Sequence, residues 1–147
     1  MKLPVVALAV ALLAGTAPLC ATAADAPTIV MPSQLVWATS PMLPAGTKIA
    51  VISGNPTVPG PYIIRLMLPD GATFAPHFHG DTENVTVLEG TLLVGLGDRM
   101  DATTMTALPA GAFVSVPVGM HHYAKAKGVT ILQLNGMGPM TMTAVNP

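Results

Sequence analysis

The sequence predicts an all-β protein whose single sheet closes into a barrel or sandwich. Three observations carry this. No segment of the 147 residues keeps a 3.6-residue apolar period over the length of a helix. Short β-branched runs recur along the chain, and Gly, Pro, Asn or Asp ends nearly every one. Their close, regular spacing is that of strands joined by turns.

The first element is a processing signal. Met1-Lys2 gives a short positive end, Leu3 to Leu13 is apolar apart from Pro4, and Ala21-Thr22-Ala23 supplies a small-residue cleavage site. Residues 1–23 therefore read as a secretory signal peptide, too short for a spanning helix. The expected location is the periplasm or the extracellular space, with no membrane attachment after cleavage. Cys20 is the only cysteine and leaves with the signal. Disulfides, thiolate ligands and cysteine nucleophiles are then closed to the mature chain. Residues 24–34 form an N-terminal arm, either disordered or paired with another subunit. Residues 35–147 make one domain, large enough to bury a core.

Within that domain Lys48 to Ser53 is the first clear strand, ended by Gly54-Asn55-Pro56. Tyr62 to Leu68 is apolar except for Arg65, and Pro69-Asp70-Gly71 turns the chain. Phe74 to His79 follows as a strand. Asn84 to Leu88 and Thr91 to Leu96 flank Glu89-Gly90, which reads as a hairpin turn. Phe113 to Val116, Tyr123 to Ala126, Val129 to Leu134 and Met140 to Val145 complete the set.

Charge excludes one class of partner. Without Lys2, five of the six Lys and Arg residues remain against seven Asp and Glu. No basic stripe exists for nucleic acid. Charged residues are sparse, at 9% of the chain. A homodimer that covers part of the outer face is one account of that scarcity; a small barrel rich in Ala, Val, Thr and Met is the other.

The four histidines carry the chemistry, and all lie in two Gly-bounded segments. In the first, Gly71 precedes His77 and His79, Glu83 stands four residues on, and Gly90 closes the run. In the second, Gly111, Pro117 and Gly119 lead to His121 and His122. Imidazoles at i and i+2 leave the same face of a strand, with Phe78 turned away. Glu83, and a third imidazole from His122, close around one divalent ion if the sheet folds back. Nitrogen and carboxylate donors without thiolate suit copper first on affinity, with iron, manganese, zinc and nickel also compatible. Glu83 has two readings here, fourth ligand or free general base.

Neighbouring residues define the rest of the candidate site. Successive side chains on a strand face opposite ways, so His121 cannot join His122 on the ion and reads as a support for the ligands, a proton shuttle at the mouth or, first of the three, a surface residue. Gln133 lies near the open coordination position if the face of Ile131, Gln133 and Asn135 is inward. Arg65 is either an anion anchor or a surface arginine. Trp37, Tyr62 and Tyr123 offer a flat platform for a sugar ring, or simply packing. Met137, Met140 and Met142 cluster near the end, as gap-fillers or as soft ligands for a second copper.

The double motif resembles the cupin superfamily. Gly71, His77, His79, Glu83 and Gly90 match its first motif; Gly111, Pro117, Gly119 and His122 match its second. Ala126 departs from it, standing where many members carry Asn. The resemblance implies a jelly-roll barrel with His77, His79, His122 and Glu83 on one metal, and the dimeric habit common among cupins. It does not imply one reaction, because the fold serves many. In size, export signal and motif the chain also looks like small secreted copper cupins that cleave cellulose oxidatively. The expected activity is thus metal-dependent oxidation of a plant-derived substrate such as a saccharide. A non-redox isomerase or lyase and a non-catalytic binding module are the alternatives.

Overall fold

The computed structural model describes residues 26–145. The signal peptide and the first residues of the arm lie outside them. The arm enters as extended chain with a short 3-10 turn at Pro32–Gln34, and Ile29 and Val36 project into solvent. Among the described residues no helix is long and apolar enough to cross a membrane.

Among the described residues nine antiparallel strands follow: β1 (Ala38–Thr39), β2 (Lys48–Ser53), β3 (Gly60–Leu68), β4 (Thr73–Phe78), β5 (Glu83–Leu96), β6 (Thr106–Pro109), β7 (Phe113–Val116), β8 (His122–Gly138) and β9 (Thr143–Ala144). Along one path they run β1-β2-β3-β8-β4-β9, while β5 pairs with β6, β7 and β8. The all-β jelly-roll barrel expected from the sequence is what the chain forms.

Two long strands, β5 and β8, organise it. They pair from Asn84 opposite Asn135 to Leu96 opposite His122, with the register broken around Glu89. Glu89-Gly90 is thus not a hairpin turn, and 123–126 and 129–134 are not separate strands. Gly90 and Gly128 adopt φ of +73° and +74°, a left-handed conformation that costs little only for glycine. The sheet bends there instead of ending. The buried Thr130 hydroxyl reaches the carbonyls of Thr91 and Gly128, 3.1 Å from each, and latches the corner.

Beyond the corner each half of β8 serves a different wall. Its second half pairs with β3, and its first half with β4. Period-two alternation decides what faces in. Tyr62, Ile64, Leu66 and Leu68 of β3 are buried, as are Leu132 and Leu134 of β8, with Val85, Val87 and Leu92 of β5 opposite. Burying each such side chain contributes about 1.5–3 kcal/mol. Arg65 and Gln133 fall between these positions and point outward, where Arg65 Nε donates to Gln133 Oε1 at 3.1 Å. Gln133 is therefore no donor to the site, and Arg65 anchors no anion inside the barrel. Tyr62 and Tyr123 are buried too, at 4% and 1% exposure, and form no sugar platform.

Candidate metal centre

The site is built by a cross-strand pair. His77 on β4 stands directly opposite His122 on β8, so both imidazoles leave the same face. Their ring centroids are 4.2 Å apart. His79, just past the end of β4, shares that face with His77 at 4.9 Å. One ring nitrogen from each of the three lies within 4.8 Å of the other two, and all three residues are buried. The two motif segments are joined by a hydrogen bond from Gly119 N to the His79 carbonyl, 3.0 Å.

Each imidazole is held in one tautomer. His77 Nδ1 lies 2.7 Å from the Ala75 carbonyl, His79 Nδ1 2.6 Å from the Thr141 carbonyl, and His122 Nδ1 3.0 Å from the Met120 carbonyl. A carbonyl oxygen only accepts, so every Nδ1 carries its hydrogen. In the neutral ring the Nε2 lone pair is left facing inward, which is how metal-binding histidines are prepared. His79 Nε2 is buried without a hydrogen-bond partner. A desolvated, unpaired acceptor is costly unless something else meets it. A cation would do so here, and the donor set fits one divalent ion.

Glu83 opens β5 after the bend that follows His79. Its Oε2 lies 3.5 Å from His79 Nε2 and 3.5 Å from His122 Nε2. At that length these are charge contacts rather than well-formed hydrogen bonds. Burial raises the Glu83 pKa, but His122 and the other two imidazoles outweigh it and hold the carboxyl below its ordinary value. For His122 burial lowers the pKa, but the Glu83 carboxylate and the Met120 carbonyl raise it above 6.5. His77 lacks that carboxylate contact, and burial takes it down to about 4. Its ring is therefore neutral at physiological pH.

The remaining sequence candidates fall elsewhere. His121 faces the opposite way from His122, with Nδ1 2.6 Å from Asp98 Oδ1 and its ring stacked on Phe78 at 5.1 Å. Phe78 points away from the triad, as its place between His77 and His79 requires. Met140 and Met142 line a cavity in front of the triad, whereas Met137 does not and is 54% exposed. The three thioethers thus do not make one site.

That cavity, about 450 Å³, has the triad and Glu83 in its wall. Two segments whose place at the site the sequence did not reveal border it. One is the stretch before β2, with Ser40, Met42 and Leu43. The other is the C-terminal strap through Pro139, Met140 and Met142. The strap is tied down by Met140 N to the Pro56 carbonyl at 2.7 Å, and by β9 pairing on β4. Within it Thr141 holds His79 through its carbonyl, and its Oγ1 accepts from Gly80 N at 2.9 Å. A backbone carbonyl leaves no mark in a sequence, so this support had no signal to be read.

Comparison with known proteins agrees with the motif. A cupin domain family profile matches residues 64–134, which span β3 to β8 and contain all three histidines. The matched stretch is a cupin domain. Solved structures share the fold of the chain at low sequence identity. An RmlC-like cupin from Shewanella frigidimarina superposes with a TM-score of 0.60 at 20% identity, over 76% of this chain and 91% of that one. The polyketide cyclase RemF from Streptomyces resistomycificus gives 0.69 at 15% identity, over 83% and 87%. A candidate acetylacetone dioxygenase from Methylibium petroleiphilum gives 0.66 at 17% identity, over 85% and 88%. Among curated proteins none matches this chain.

Proposed function

We propose that this protein is a mononuclear metal-dependent oxidoreductase working outside the cytoplasm, with copper as the first candidate for its ion. The observation that carries the reading is the set of three inward Nε2 atoms in the wall of a cavity able to admit a small molecule. Three imidazoles with or without one carboxylate leave coordination positions free, the mark of a catalytic rather than a closed structural site. When bound, a redox-active ion there supplies Lewis acidity and one-electron chemistry. Iron, manganese, zinc and nickel fit the same donors.

The chain's own groups divide the remaining work. His77, His79 and His122 hold and orient the ion through tautomers fixed by backbone carbonyls. Glu83 either completes the ligand set or, as a general base, accepts a proton at Oε2, which lies between His79 and His122. The aliphatic wall excludes water from the reacting face. Among the described residues no second carboxylate stands in the cavity wall, so glycoside hydrolysis by paired acids is disfavoured. The structural neighbours carry names as different as candidate dioxygenase and polyketide cyclase, so the fold does not choose the reaction. The thiol-free donor set and the export signal support the redox side for this chain. The export signal and the chain's size favour an extracellular plant saccharide such as cellulose, but the aliphatic wall of the cavity speaks against one.

The test joins metal content to turnover. Protein produced without metal is loaded with copper or zinc, and the ion is quantified. Each form is then offered cellulose with ascorbate or peroxide, oxalate, and a flavonol. Copper-dependent oxidised product with at least one of them is the expected result. Equal activity of the zinc form on the same substrate overturns the redox assignment.

A further inference from the structure

The chemistry of the cavity wall bears on what kind of molecule enters it. Ile64, Leu66, Val85, Leu92, Leu132 and Leu134 reach it from three strands, and all six are buried core positions. The polar side chains are confined to two places. His77, His79, Glu83 and His122 form one patch, and Ser40 and Thr57 lie in the segments outside the barrel strands. Between them the wall offers aliphatic carbon.

That division sets what a guest can carry. A hydroxyl pressed against aliphatic wall loses its water and gains no partner. Each such group weakens binding by roughly 5–150-fold. A sugar ring is edged with hydroxyls, and the polar groups here are gathered at one patch instead of spread around the wall. A methylene on the same wall strengthens binding by about fourfold. The volume, about 450 Å³, lies in the range of sites for small organic ligands. Met42, Met140 and Met142 add flexible, apolar side chains that adapt to a hydrocarbon surface.

We propose that the cavity takes a small molecule with one polar head at the histidine patch and a hydrocarbon or aromatic body along the aliphatic wall, and that saccharides are not its ligands. The head's contact rests on the metal reading above; the body's contact rests on the cavity alone.

The experiment separates the two. Straight-chain hydroxamic acids from acetohydroxamic to octanohydroxamic acid are titrated calorimetrically into metal-free and copper-loaded protein, beside cellobiose. The affinity is expected to rise about fourfold per methylene over the first several carbons in both forms, and then to level off as the cavity fills. Cellobiose is expected not to bind. The copper form should bind every hydroxamate tighter by a common factor. A series without chain-length dependence overturns the proposal, as does cellobiose binding tighter than hexanohydroxamic acid. Chain-length dependence with no copper uptake overturns the metal reading and supports the cavity assignment. The near-isosteric variants Val94→Thr and Val114→Thr put a hydroxyl in the wall, and should lose at least threefold in octanohydroxamate affinity at unchanged metal content. If either fails to fold, the parent series decides alone.

Discussion

His77, His79 and His122 differ in what surrounds them, and the differences give each a separate part in metal uptake. His77, with its pKa near 4, is already neutral at physiological pH. The proton that competes with the ion sits on His122, whose pKa Glu83 raises above 6.5. Affinity for the ion should therefore fall as pH drops through that raised value, while His77 adds no competition until pH nears 4. Glu83→Gln removes the raising charge, so the midpoint of pH-dependent metal binding should move to lower pH. If Glu83 is instead mainly a ligand, metal content at neutral pH falls first. A copper titration across pH 5–8 reads both. Without metal, the depressed His77 pKa means that the unfolded chain binds more protons between about 4 and 6.5. Its contribution to stability is thus present above 6.5 and lost as pH falls towards 4. His122 acts with the opposite sign, and its contribution is lost as pH rises through its raised pKa. Thermal melts of metal-free His77→Gln should show a shallower loss on the acid side than the parent. The His77→Ala, His79→Ala double variant should hold no stoichiometric metal, and full occupancy in it would place the ion elsewhere.

Strands and turns carry a different kind of prediction. A Cβ at Gly90 would lie 2.3 Å from the Val129 carbonyl oxygen, on a residue already at positive φ. Gly90→Ala should therefore destabilise by about 2–4 kcal/mol, from clash and backbone strain together, readable as a fall in the urea midpoint. Gly95→Ala first meets the buried Tyr123 side chain, and should cost about 1–3 kcal/mol. These glycines also mark where the sequence was easy and hard to read. β2 and β7 were legible to the residue, because β-branched runs and flanking turn residues agree. The convergence of His77, His79 and His122, with Glu83 beside them, was legible because their spacing matches a motif. The corner at Gly90 was misread because Glu-Gly between two apolar runs looks the same whether the chain reverses or bends. What decides is that residues on both sides of it pair with the same strand, β8. Short β1 and β6 were missed because edge pairing leaves little periodicity. The face of Gln133 was undecidable from Val129 to Asn135 alone; the partner strand's alternation at Leu66 and Ile64 fixes it.

At the scale of the whole molecule, the outer surface keeps several large apolar side chains in contact with solvent, among them Ile29, Val36, Phe113 and Val118. With so few charges, a homodimer is the expected solution state. Light scattering at micromolar concentration should return twice the chain mass, and a monomer mass would refute it. The chain ends have a subtler consequence. Thr141 holds the Nδ1 hydrogen of His79 from the outside, while its neighbours Met140 and Met142 face the cavity. Occupancy of the cavity and the orientation of His79 would thereby be coupled through one three-residue stretch. A guest that displaces the two methionines would strain the carbonyl that keeps His79 oriented, so an ion on the triad should leave faster while a guest is entering than once it is seated.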